Sequence, residues 1–139
     1  MKQQFYNLDA SIEFSIFNTL NEDLLNIENP MHLNRSSFKV FYEINGKKTE
    51  VNNPNLDYPK GFKIYKHVNE YRIRIFLNYS KTENIPTTYI QWDDNKTDTI
   101  KTFYQKSQNS ILQDIIWLNG EKIWKRTNNN SKPHFVLIK

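Results

Sequence analysis

Two Asn-Gly dipeptides, Asn45-Gly46 and Asn119-Gly120, each lie between runs of alternating apolar residues and constrain the fold more than any other feature. A two-residue type I′ hairpin turn needs positive φ at both central positions, which asparagine tolerates and glycine adopts freely. The chain holds three glycines, so two of them belong to such turns. Each turn sets a register. Around the first, Val40 pairs with Val51, Tyr42 with Thr49 and Glu43 with Lys48, the last as an outward ion pair. Around the second, Leu118 pairs with Glu121, Trp117 with Lys122, Ile116 with Ile123, Ile115 with Trp124 and Asp114 with Lys125. That register places Ile115, Trp117 and Trp124 on one face, and Ile116, Leu118 and Ile123 on the other.

Further strands follow from period-two alternation. They cover 11–18, 38–44, 47–51, 62–68 and 71–78 (joined across Asn69-Glu70), 87–92, 99–106, 111–118 and 121–126, with 134–138 a last strand or a tail. The segment 21–37 reads as a long surface loop whose Leu24-Leu25 pair enters the core, and Tyr58-Pro59-Lys60-Gly61 suits a type I turn. Strands about 8–12 residues apart with turn signals between them predict a single all-β domain over 1–139. The expected fold is an antiparallel β-sandwich of seven to nine strands, immunoglobulin-like or transthyretin-like, with a small β-barrel as the alternative. Its ends, about 1–9 and 127–139, are expected to fray. Ile12, Phe14, Val40, Tyr42, Ile44, Ile73, Ile75 and Ile90 form the expected core. Composition agrees: Ala10 is the only alanine, while aromatic residues make up 14%, the balance of a pleated rather than a helical chain. The abundance of Asn, Lys and Ile also matches an A+T-rich coding sequence.

Chemistry is sparse. There is no cysteine, hence neither disulfide nor thiolate metal site. His32, His67 and His134 are far apart in sequence, no serine sits in a Gly-x-Ser-x-Gly elbow, and no catalytic carboxylate pair can be named from spacing. The loop 93–98 concentrates oxygen ligands but lacks the glycine and distal glutamate of an EF-hand, so a hydrated turn is expected. The chain therefore reads as a non-enzymatic protein without metal or cofactor. The net charge of +4 is carried mostly by lysines scattered singly, 15 of the 19 basic residues, which suits solvated strands with protected edges. Arg72, Arg74, Lys63 and Lys66 interleave with Tyr65, Tyr71 and Phe76, a weak nucleic-acid signature. Trp92, Trp117 and Trp124 are the candidate ligand-binding residues, since exposed tryptophans serve as stacking platforms for sugars. The competing outcome, core packing, is the expectation for Trp117 and Trp124 alike. No apolar stretch reaches the 18 or so residues of a membrane-spanning helix.

Several segments together are distinctive: NEDLLNIENP (21–30), FKVFYEINGKKTEVNNPNLDYPKGF (38–62), EYRIRIFLN (70–78), TTYIQWDDNKTDTIK (87–101) and DIIWLNGEKIW (114–124). The set resembles small β-sandwich lipoproteins of gut Gram-negative bacteria, a likeness covering about 12–125. It implies a β-sandwich acting outside the cytoplasm through contacts with other surface proteins or glycans, and it brings no site residues. As written, the chain opens Met1-Lys2-Gln3-Gln4-Phe5, without the signal segment and lipidation cysteine of such proteins. An extracytoplasmic, lipid-anchored location is expected if the start was trimmed, and a cytoplasmic one if Met1 is the natural start.

Overall fold

The alternation resolves into eleven strands in a computed structural model that describes residues 7–130 and 132–139. They are β1 (Asn7–Asp9), β2 (Ser11–Phe17), β3 (Lys39–Ile44), β4 (Lys47–Glu50), β5 (Phe62–His67), β6 (Glu70–Phe76), β7 (Thr87–Asp93), β8 (Lys96–Lys106), β9 (Ser110–Leu118), β10 (Glu121–Lys125) and β11 (His134–Ile138). Two sheets pack face to face as a β-sandwich. The larger runs β1-β9-β8-β7-β3-β4, with β10 also on β9; the smaller runs β11-β2-β6-β5. Ile12, Phe14, Ile16, Ile73 and Ile75 of the small sheet share one buried cluster with Val40, Ile90, Ile100 and Ile116 of the large one.

Both Asn-Gly turns have positive φ at both positions: 53° and 77° at Asn45-Gly46, 51° and 88° at Asn119-Gly120. The first hairpin keeps its expected register, with Tyr42 opposite Thr49 and Glu43 opposite Lys48. The expected Glu43–Lys48 ion pair is replaced. Glu43 accepts from the Tyr89 hydroxyl at 2.7 Å, and the Lys48 ammonium lies over the Phe41 and Tyr89 rings. Ile44 is not core but 48% exposed, because it adjoins the turn where every residue of β4 is exposed. Tyr42 is half-buried, donates to the Phe76 carbonyl, and has its pKa pushed by burial up to about 12.

Within the ends expected to fray, Asn7–Asp9 and His134–Ile138 are strands, the latter being the last strand that the alternation allowed, while residues 1–6 and 131 lie outside the described residues. β1 adds parallel to β9, and β11 parallel to β2. These two strands carry the count above nine and make an otherwise antiparallel sandwich mixed. Between β1 in the large sheet and β2 in the small one lies Ala10, packed against the core, its carbonyl accepting from Leu77 N–H. The lone alanine marks the point where the chain changes sheets. In the long loop, Asn18, Asp23, Asn26, Asn29 and Asn34 each accept, through a side-chain oxygen, the backbone N–H two residues on. Such Asx turns give asparagine a structural role here beyond coding bias. Leu24 and Leu25 reach the core as expected.

The β5–β6 turn is Val68-Asn69, one residue earlier than expected, since His67 pairs with Glu70. Val68 adopts φ 56° while 76% exposed. A β-branched residue there costs about 1–2 kcal/mol, more than the roughly 0.5–1 kcal/mol that glycine loses through its freer unfolded state. Val68→Gly should therefore raise stability by up to about 1 kcal/mol in urea unfolding; a loss of stability would show that the valine side chain, not the turn geometry, governs this hairpin.

Candidate functional site

The three tryptophans part company in the structure. Trp92 is the bulged residue of β7, where the register jumps between Gln91 and Asp93. Its ring keeps the inward phase of Thr88 and Ile90 on the same strand, so it is 2% exposed and meets Phe38 edge-on at 5.1 Å. Its indole N–H donates to Asp98 at 2.8 Å. Burial corrects the expectation of a Trp92 stacking platform: no open ring face remains. A second bulge corrects the register of the last hairpin. Leu118–Glu121 and Trp117–Lys122 pair as expected, but the extra residue Ile123 moves Trp124 opposite Ile116 and Lys125 opposite Ile115. Trp124 thereby joins the inward side with the fully buried Ile116 and packs against the core, with the Arg126 guanidinium 5.7 Å from its ring centre. Trp117 stays on the outer side, half-exposed. The two indoles do not share a face, because a bulge resets the alternation that a perfect ladder would keep.

Trp117 sits in the middle of a row. Across β8 its partner is Lys101, and across β10 it is Lys122. Side chains directly opposite on adjacent strands lie about 4.5–5.5 Å apart at Cβ, so the indole is flanked by two lysines. Both lysines are exposed, and neither has an ion-pair partner among the described residues. The neighbouring row on this face pairs Phe103 with Ile115, and farther along Phe41 pairs with Tyr89, all half-exposed. The outer face of the large sheet is thus an aromatic strip edged with uncompensated positive charge.

The outer face of the small sheet is the opposite case. Glu13 on β2 binds Arg74 at 2.5 Å and Arg72 at 3.4 Å, and Glu70 binds Arg72 at 2.8 Å. The arginines that suggested a nucleic-acid track are engaged by these carboxylates. Burial works against the charge on Glu13, but hydrogen bonds from Tyr65 and Arg74 and the charge of Arg74 outweigh it and hold the pKa below the usual carboxylate range. Burial likewise opposes charge on Glu70, and the hydrogen bonds from Ser15 and Arg72 prevail. His134 is pushed down by burial, then by the Arg72 charge, against the pull of Glu70 and Glu13.

Sequence reasoning missed the Ser15–Glu70–His134 group, since its members are 55 and 119 residues apart and only the β11–β2 and β2–β6 pairings unite them. The Ser15 hydroxyl lies 2.5 Å from Glu70 Oε2 and 2.7 Å from His134 Nε2. An ionised carboxylate only accepts, so the hydroxyl proton points at Glu70, and Nε2 of His134 must be the donor to Ser15. The imidazole is in no position to deprotonate this serine, which is fully buried. The group joins three strands rather than pairing a nucleophile with its base. The loop expected to be a hydrated turn is a tight one at Asp94-Asn95, and Asp98 is held by Trp92, Asn119 and Lys139. Among the described residues no group of His, Asp and Glu is arranged to hold a metal, and no helix is long and apolar enough to cross a membrane.

No family model matches the chain, and neither a curated protein nor a solved structure is significantly similar to it.

Two outcomes follow. In variants retaining one tryptophan each, iodide should quench Trp117 well and Trp92 and Trp124 poorly, and Trp92→Ala should cost about 3–5 kcal/mol; equal quenching of Trp117 and Trp124 would restore the unbulged register. The pH dependence has one sign for all three outer-face groups. Their folded pKa values lie below the unfolded ones, so their stabilisation is complete above about pH 6.5 and lost as pH falls, first through His134 and then through Glu13 and Glu70. Thermal midpoints should fall steadily from neutral pH to pH 4, and a midpoint rising over that range would contradict the network.

Proposed function

We propose that this protein is a non-catalytic extracytoplasmic binding module that works through protein contacts made by the outer face of the seven-stranded sheet. The observation that carries this is the row Lys101–Trp117–Lys122. Tryptophan is the residue type most enriched among those that dominate binding energy at interfaces, and flanking cations without partners favour an acidic surface and speed its approach. The opposite outer face supports the choice by contrast, because its arginines are already engaged by Glu13 and Glu70. The resemblance to surface lipoproteins supports the address, and two packed sheets support the immunoglobulin-like or transthyretin-like grouping. Carbohydrate binding is the second reading, favoured by the position of Trp117, the tryptophan placed on an outer sheet face.

The test compares wild type, Trp117→Ala and the double variant Lys101→Glu/Lys122→Glu for binding to outer-surface protein extracts of a gut Gram-negative bacterium and to glycan arrays. Protein binding should fall on Trp117 truncation by on the order of 2 kcal/mol and disappear on charge reversal, with stability changed by about 0.5 kcal/mol or less in the double variant. Glycan binding that needs Trp117 but ignores the lysines would establish the second reading instead. Insensitivity of all binding to these substitutions would remove the face from consideration.

A further inference from the structure

The two Asn-Gly turns are chemically equivalent in sequence but not in their surroundings. At either one, the glycine nitrogen can attack the asparagine Cγ. The Cγ–Nδ2 bond then breaks, ammonia leaves, and a five-membered succinimide forms. Water opens that ring to aspartate or to isoaspartate, with the chain continuing through the side-chain carbonyl. The net change is an amide plus water giving a carboxylic acid plus ammonia. Glycine favours the step because no Cβ crowds its nitrogen. At both turns the space where a Cβ would project is empty, and φ values differ by little, so backbone geometry affects both sites alike.

The side chains differ. The Asn119 amide is held at both ends: Oδ1 accepts from Thr99 N–H at 2.8 Å, and Nδ2 donates to Asp98 Oδ1 at 2.9 Å. Asp98 is itself fixed by the Trp92 indole N–H and by Lys139. Ring closure at Asn119 must break both bonds and rotate the amide away. Asn45 is exposed, and its amide has no hydrogen-bond partner among the described residues. It lines an open cleft of about 200 Å³ with Tyr79, Ser80, Thr82 and Glu83, which gives water access.

We propose that Asn45-Gly46 is a self-modification site, converting to aspartate and isoaspartate in the folded protein, and that the Asp98–Asn119–Thr99 bonds shield the second turn. The modification has a structural consequence. Isoaspartate adds a backbone methylene, which the two-residue turn cannot accommodate, so β4 loses its register on β3. All four β4 residues are exposed, so the core stays covered while β3 becomes a bare edge able to pair with another strand.

The test is peptide mapping by mass spectrometry of the whole protein incubated at mildly alkaline pH, folded and in denaturant. In the folded protein Asn45 should convert faster than Asn119 by on the order of tenfold to a hundredfold, the retardation that two extra hydrogen bonds impose. In denaturant the two rates should converge, since both turns then present only Asn-Gly. Asp98→Ala, checked for folding by circular dichroism, should accelerate Asn119 and leave Asn45 unchanged. Equal rates in the folded state, a faster Asn119, a preference that persists in denaturant, or an Asn45 that survives folded while both sites convert unfolded would each overturn the proposal.

Discussion

The mutual burial of two sheet faces is the constraint on which the other features depend. Phe14, Ile73 and Ile75 on one side and Val40, Ile90, Ile100 and Ile116 on the other are fully buried in one cluster. A dry layer of this kind tolerates backbone polar groups only when they are paired, and the end of β6 shows how that is met. Asn78 N–H donates to Thr88, the Asn78 side chain donates to the carbonyls of Glu43 and Thr87, and the Asn78 carbonyl accepts from Tyr104. Tyr42 closes the same corner onto Phe76. Burial drives the Tyr104 phenol well above its ordinary pKa, so it remains a donor. One asparagine thus joins the small sheet to β3, β7 and β8 of the large one.

With both inner faces committed to the core, interaction with other molecules falls to the outer faces, and these are chemically unlike. On the small sheet, alternation aligns Glu13 with Arg72 and Arg74 across the β2–β6 ladder, and Glu70 with Arg72 two residues along β6. On the large sheet the outer positions are mainly aromatic; Lys125 pairs with Asp114, while Lys48, Lys101 and Lys122 meet rings or have no ion-pair partner among the described residues. Lys48 over Phe41 and Tyr89 is a cation–π arrangement, whereas Lys101 and Lys122 flank Trp117 without an acid nearby. The difference marks the large sheet as the side with charge left to offer.

Legibility in the sequence followed the range of the interaction. Turn type and the first register could be derived because Asn45-Gly46 and its neighbours act within a few residues. Ile73 and Ile75 could be assigned because alternation is local. Trp92 follows the same alternation as Ile90, but Trp124 could not be assigned, because a bulge shifts the alternation by one residue and an Ile-Trp dipeptide does not announce it. Ile44 obeyed the alternation yet is exposed, since whether an inward position is covered depends on where the other sheet ends. β1 is not legible, and β11 only as a strand or a tail, because short parallel additions carry no turn signal, and the Ser15–Glu70–His134 group depends on β11.

The same parallel additions determine the order in which the molecule can be completed. β2 lies near the beginning of the chain and receives β11 only after more than a hundred residues have intervened, as the 119-residue separation of Ser15 and His134 shows. β1 likewise waits for β9. Sequence separations this large slow folding, since loop-closure entropy is lost before the contact forms. On the ribosome, the hairpins can form as they emerge, but β2 keeps an open edge until β11 has been made. Each emerging chain therefore passes through a state with finished hairpins and an unfinished small sheet, whose bare β2 edge is exposed to other chains until β11 arrives.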